Sequence, residues 1–246
     1  MHRDIVRLQS RHLGFDTPVA RYGHAGRPLL LFPTWASDYL ESERQGLIAA
    51  IADLVEAGRV QVFCIDSISP LAWCDAALPV PEKVRRQALH SAYVEDEVVP
   101  HVRRTIGDEG ARLAVGGASF GAFFAANALF RRPDLFGALL AMSGFYDLEG
   151  KLGDHRDDAA YFNNPTWFVP NLPEGPALAA LRADTRIELM TGQGAHEAPG
   201  ESVRFARTLE AKGIPHRLDV WGHEMAHDWP TWRRMIRIGV EERLGW

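Results

Sequence analysis

The chain has 246 residues, 46% of them hydrophobic and 24% charged, with a formal net charge of −5 at pH 7. That is enough chain to bury a large core, and α/β folds of this size are commonly single. An acidic chain without a basic, aromatic-interleaved cluster excludes nucleic acid and anionic membranes as partners, and no apolar stretch reaches bilayer-spanning length.

The first residues, Met-His-Arg-Asp-Ile-Val-Arg, lack the apolar core of a signal peptide, so the cytoplasm is the expected location. Residues 4–8 alternate, and residues 19–22 follow a turn between Gly14 and Pro18; both read as edge strands. Residues 28–32, Pro-Leu-Leu-Leu-Phe, form a better strand between Gly26 and Pro33. Residues 47–57 carry apolar side chains at helical spacing and stop at Gly58. Residues 60–65 read as a buried strand holding Cys64 in the core. Cys64 and Cys74 suggest neither a disulfide framework nor a metal knuckle.

Residues 66–79 look irregular. Residues 82–106 are helical in pattern but contain Pro100, which predicts a kink or break just before it. Residues 113–115 read as a buried strand and residues 120–130 as a buried helix without a polar face. A strand over 135–142 follows. Residues 147–184 are the least regular part, at most a small lid, with Tyr161, Phe162, Trp167 and Phe168 among four prolines. Strands over 187–190 and 217–221 alternate with helices over 202–211 and 232–244. Such alternation means one α/β domain over residues 1–246. Its mostly parallel sheet has about eight strands, with helices on both faces. Ligands of such sheets bind outside the carboxyl ends of the strands.

One strand end carries chemistry. Gly117-Ala118-Ser119-Phe120-Gly121 matches G-x-S-x-G, and it stands between a strand and a helix as a nucleophile elbow requires. Glycine is needed on either side because a side chain there would collide with the adjoining strand and helix. The helix starts at the serine, so its free N–H groups and positive dipole end face a developing oxyanion. Without chemistry, the same residues would make only a Gly-rich turn.

A serine hydroxyl needs a base to take its proton. In this fold the order is serine, acid, histidine, which leaves His223 and His227. His227 is preferred, because it directly precedes Asp228, the expected N-cap of the last helix, with Pro230 in the first turn. For the acid, the loop after residues 187–190 offers Glu197. Glu201 suits a first helical turn, Asp219 lies inside a strand, and Asp147, after the preceding strand, is the topological rival. A second oxyanion donor should come from the loop after residue 32. Pro33 has no N–H, so Thr34 or Trp35 must supply it beside Phe120, with Trp35 preferred. His223-Glu224-Met225-Ala226-His227 also fits H-E-x-x-H, the zinc-protease pattern. That pattern works on a helix, and Gly222, Asp228 and Pro230 oppose one here.

With these residues in place, the chain resembles the esterases of the α/β-hydrolase superfamily that include esterase D (S-formylglutathione hydrolase) and the bacterial mycolyltransferases. The resembling stretches are Gly117-Ala-Ser-Phe-Gly121, Arg132-Pro-Asp-Leu-Phe-Gly137, Met142-Ser-Gly-Phe-Tyr-Asp147 and His227-Asp-Trp-Pro-Thr-Trp232. Phe32-Pro-Thr34, Tyr161-Phe-Asn-Asn-Pro165, Gly213-Ile-Pro215 and Asp219-Val-Trp-Gly222 add a likeness to a cytoplasmic subgroup. The resemblance implies an α/β-hydrolase fold, a Ser-acid-His triad and no cofactor or metal. It supports His227 as the base and an acid in the Glu197 loop. Phe120-Gly121-Ala122 departs from the Ser-x-Gly-Gly that often follows the nucleophile in esterase D, which bears on the formylglutathione substrate.

The expected function is cleavage of a small carboxylic ester or thioester by Ser119, His227 and Glu197, with the oxyanion held by Phe120 and Trp35. Thr34, Tyr161, Phe162, Trp167 and Phe168 are candidates for the acyl pocket or for mere packing. An acyltransferase on the same triad and a non-catalytic binding module are the alternatives. The oligomeric state is left open, a homodimer included.

Overall fold

The expected apolar runs pair into one sheet in a computed structural model that describes residues 1–246. Its strands are β1 (Arg3–Gln9), β2 (Asp16–Tyr22), β3 (Arg27–Phe32), β4 (Val60–Ile65), β5 (Leu113–Ala118), β6 (Phe136–Met142), β7 (Arg186–Thr191) and β8 (Arg217–Val220). They lie in the order β1-β2-β4-β3-β5-β6-β7-β8. The β1–β2 and β2–β4 pairs are antiparallel and all others parallel. This is the α/β-hydrolase arrangement. Only β1 of the first two strands is an edge. β2 lies between β1 and β4, and covered faces explain its mostly buried residues.

The main helices are α1 (Val80–Tyr93), α2 (Val99–Ile106), α3 (Phe120–Arg131), α4 (Pro176–Ala183), α5 (Pro199–Ala211) and α6 (Trp229–Ile238). The larger core joins one face of the sheet to α1, α2, α3 and α5 through Val84, Val99, Phe123, Leu129 and Phe205. The smaller core covers the other face with Leu47, Ile51, Leu54, Trp232, Met235 and Ile236. Every residue of α3 from Phe120 to Phe130 is buried. Each large apolar side chain there contributes roughly 1.5–3 kcal/mol by leaving water, which pins the start of α3 to the sheet.

Pro100 does not break its helix. α1 runs through a π-helical turn, Val94–Val98, into α2, with Pro100 in the first turn of α2. The wider turn absorbs the proline ring and its missing N–H. The helix expected over 47–57 is instead split at Ile51 (φ −124°) into Leu47–Ala50 and Ala52–Glu56. Residues 147–184 form short helices, Glu149–Leu152, Asp158–Phe162 and Pro165–Phe168, before α4. Leu148, Leu152, Phe168, Val169, Leu178 and Leu181 from this stretch are buried in the larger core. No helix is long and apolar enough to cross a membrane.

Candidate active site

Ser119 stands at the junction of β5 and α3 with φ 55° and ψ −118°. A non-glycine residue there carries strain of order 1–3 kcal/mol, sustained by the packing around it. That packing is tight. A Cβ on Gly117 would fall 2.5 Å from the carbonyl carbon of Gly121, and one on Gly121 would strike the carbonyl oxygen of Phe32 in β3. The backbone N–H of Ser119 donates to Met142 O at 2.9 Å, tying the turn to β6. The side chain is partly exposed at the carboxyl end of β5. The N–H of Phe120, first in α3, has no intrahelical partner and bonds no other backbone group.

Two loops converge beside it. The loop after β7 carries Glu197, and the loop after β8 carries His227. They are laced together by the Gly194 N–H on Met225 O (2.8 Å) and the His227 N–H on Ala195 O (2.9 Å). A Cβ on Gly194 would stand 2.6 Å from the carbonyl oxygen of His223, so only glycine lets the loops meet. His196, with φ 64°, turns the chain into Glu197. Across this seam the Glu197 Oε2 lies 3.5 Å from His227 Nδ1. The Glu197 side chain is 1% exposed, against 26% for His227. Thr191 Oγ1 is 3.3 Å from Glu197 Oε2, and Ser143 Oγ donates to Glu197 Oε1 at 2.5 Å. Burial pushes the Glu197 carboxyl up, but the hydrogen bonds from His227 and Ser143 and the nearby His227 charge prevail. The net effect holds it below the usual glutamate range. Glu197 and His227 are therefore brought together, while no hydrogen bond joins Ser119 to His227.

On the opposite side of Ser119 runs the loop after β3. Thr34 gives its N–H to Glu41 Oε2 (2.7 Å) and its hydroxyl to Glu41 Oε1 (2.6 Å). Its N–H is thus occupied. The Trp35 N–H bonds no backbone group, and its indole meets the Phe120 ring edge-on with centroids 4.4 Å apart. Lys151 Nζ lies 4.3 Å from the Trp35 ring centroid. Beyond this loop, at the carboxyl ends of β3 and β4, is a cavity of about 390 Å³. Its lining includes Ala36, Ser37, Asp66, Ile68, His90 and Tyr93.

The other sequence candidates go elsewhere. Asp147 Oδ1 accepts the N–H of Glu149 (2.8 Å) and Asn164 Nδ2 (2.9 Å), so the rival acid holds a turn. Glu201 pairs with Arg204, and Asp219 with Arg217 and Arg243. The His223-to-His227 segment is a turn, not a helix. His223 Nδ1 sits 3.3 Å from Gln193 O, so the two rings have different partners. Phe162 is not beside Ser119. Its carbonyl accepts Arg131 at the far end of α3, roughly 18 Å along the helix from the serine. There it lines a separate cavity with Phe130 and the buried Phe168. The Tyr161 ring packs edge-on against Phe162 at 5.0 Å, and Trp167 carries Arg156 over its face at 4.4 Å. Sequence reasoning missed Ser143, which donates to Glu197, and Trp232, whose indole N–H donates to Ser143. The signal was a serine directly after β6, where a rival acid was sought.

The family model Esterase, described as "Putative esterase", matches residues 34–240. A probable glutamyl endopeptidase of the chloroplast of Arabidopsis thaliana is 33% identical over 138 residues. That match takes in 54% of this chain and 14% of the relative's length, so the chain spans a small part of it. A solved ferulic acid esterase superposes with a TM-score of 0.72 at 18% identity, over 97% of this chain and 95% of that one. The S-formylglutathione hydrolase FrmB of Staphylococcus aureus superposes at 0.69 with 14% identity, over 97% and 95% of the two chains.

Proposed function

The chain belongs to the Esterase family, and on that premise we propose that it is a carboxylic-ester hydrolase that cleaves its ester through an acyl-enzyme on Ser119. Ser119 Oγ attacks the carbonyl carbon while His227 takes the hydroxyl proton through Nε2. Glu197 holds the Nδ1 proton, fixes the tautomer and stabilises the imidazolium. The N–H groups of Phe120 and Trp35 receive the oxyanion. His227 then protonates the leaving group, and water, deprotonated by the same ring, releases the acid. One observation carries this reading above others. A buried carboxylate is held against a partly exposed imidazole by two interlaced loops, with a strained, partly exposed serine at the carboxyl end of β5, only β6 standing between it and β7.

The substrate is a small ester or thioester. The cavity beyond the Trp35 loop gives its acyl or leaving group apolar wall from Ile68 and Leu71 and polar groups from Ser37, Asp66, Ser67 and His90. Work in the cytoplasm agrees with two unpaired cysteines, Cys64 buried and Cys74 exposed. The likeness to an endopeptidase favours peptide bonds as a second reading, which the same triad would serve.

Labelling by a fluorophosphonate tests the triad, with wild type beside Ser119→Ala and His227→Ala. Only the wild type should label, and Ser119→Ala should lower kcat/KM for a p-nitrophenyl ester by roughly 10⁴–10⁶-fold. A labelled Ser119→Ala would overturn the assignment. Turnover of a peptide p-nitroanilide but not of the ester would replace the ester reading by the peptidase one.

A further inference from the structure

We propose that Ser143 and Trp232 are positioning residues, a one-way hydrogen-bond relay that holds Glu197 for His227. The inference rests on the triad reading above and adds to it the residues that make the acid work.

The relay runs through three segments distant in sequence. Trp232 Nε1, on α6, donates to Ser143 Oγ at 3.0 Å. Ser143 Oγ, just after β6, donates to Glu197 Oε1 at 2.5 Å. Glu197 Oε2 faces His227 Nδ1. The polarity of this chain is fixed by chemistry. An indole N–H can only donate, so Ser143 must accept there, and its single proton is left for Glu197. A proton on Glu197 Oε1 would then meet the serine proton head-on. The relay therefore admits Glu197 only as an acceptor at that oxygen, which is the state that can receive the imidazole N–H. Ser143 and Trp232 are 4% and 5% exposed, so water does not compete for these bonds. The Trp232 ring also stands edge-on to the His227 ring, with centroids 5.0 Å apart, and limits its tilt.

Backbone strain gives an independent indication. Only three non-glycine residues in the chain have positive φ: Ser119, Ser143 and His196. The first is the proposed nucleophile and the third directly precedes Glu197. Ser143, at φ 48°, is the second. A serine that merely filled space would need no such backbone. Here the strained turn lets the Ser143 N–H donate to Met190 O at 2.7 Å while its hydroxyl faces across to Glu197.

The test is a set of kcat and KM profiles against pH on p-nitrophenyl acetate. The variants are Ser143→Ala, Trp232→Phe and the double variant, with Ser119→Ala and Glu197→Gln alongside. Ser143→Ala should lower kcat about 10- to 100-fold with KM nearly unchanged. Losing the donor concentrates charge on Glu197 and better stabilises the His227 imidazolium. The acidic limb should therefore move up by about half a pH unit or more. Trp232→Phe should shift both in the same direction by less. The double variant should match Ser143→Ala alone, because phenylalanine keeps an aromatic ring beside His227 and the Trp232 N–H acts through Ser143. Ser143→Gly, which removes the hydroxyl and relaxes the left-handed backbone, should repeat the loss and cover the case in which the alanine variant misfolds. Wild-type kcat and limb in folded Ser143→Gly, or losses that add without moving the limb, would overturn the relay. If Ser119→Ala and Glu197→Gln keep wild-type activity, the triad reading itself fails. If they lose it while the Ser143 variants do not, only the relay fails.

Discussion

The polar groups on the two sides of Ser119 are treated differently. Toward β7 and β8, the Glu197 carboxylate takes hydrogen bonds at both oxygens, and two loops are laced by backbone bonds. Toward β3 and β4, groups are left with capacity to spare. The Trp35 N–H has no backbone partner, and the buried His90 Nε2 has no partner at all. A cavity of about 390 Å³ opens beside them. On the proposed triad, the difference separates two tasks. Proton transfer needs groups fixed in advance, because reorganisation during the reaction would cost rate. Recognition needs room and unspent polar groups that a ligand can complete.

The contrast is broken most sharply on the finished side. Glu197→Gln keeps the shape but offers an amide that can present N–H instead of an acceptor to His227. The ring would then favour the wrong tautomer. The expected loss in kcat is about 10³–10⁴-fold. A fall of less than tenfold, in single-turnover kinetics on an intact fold, would show that the pairing of acid and base does not limit the reaction.

Much of this asymmetry was legible in the sequence where it is local. The elbow is five consecutive residues with a strand directly before and a helix directly after, so Ser119 and Phe120 stand out in the sequence alone. Glu197 and His227 could be chosen by chain order, since each follows a strand. What could not be read was contact between distant segments. Ser143 lies 54 positions from Glu197 and Trp232 lies 89 from Ser143, and no periodicity links them. Phe162 failed for the same reason. An aromatic cluster near prolines gives no direction, and the segment packs toward the far end of α3. Glu41 was invisible too, because one carboxylate among 32 acidic residues carries no mark of being buried under Thr34.

Glu41 offers a smaller perturbation, on the open side. It is 6% exposed and accepts both the N–H and the hydroxyl of Thr34. The loop is thereby held so that the next N–H, that of Trp35, stays unspent. Glu41→Gln replaces an acceptor by a donor at one of these bonds and should loosen the loop. A drop in kcat of about tenfold with little change in KM is expected, since only the transition state carries the oxyanion charge. Equal changes in kcat and KM, or none, would argue that Trp35 contributes packing rather than a donor.

The smallest effect concerns stability rather than rate, and it sharpens what the open side costs. His90 is buried against Phe32, Phe124 and Tyr93, and burial lowers its pKa to about 4. Its folded pKa thus lies below the unfolded value near 6.5. Between these values the unfolded chain binds a proton that the folded one refuses, so stability must fall as pH drops through that window. The full difference is about 3 kcal/mol. Asp66, in the same cavity, acts in the opposite sense, because burial raises its carboxyl and acidification relieves it. Comparison with His90→Phe isolates the histidine, since the ring shape is kept and the titration removed. Urea unfolding of both proteins at pH 7 and pH 5 should show a larger loss on acidification for wild type than for the variant. Equal losses would mean that His90 takes up its proton in the folded state, through water reaching it from the cavity beside Trp35.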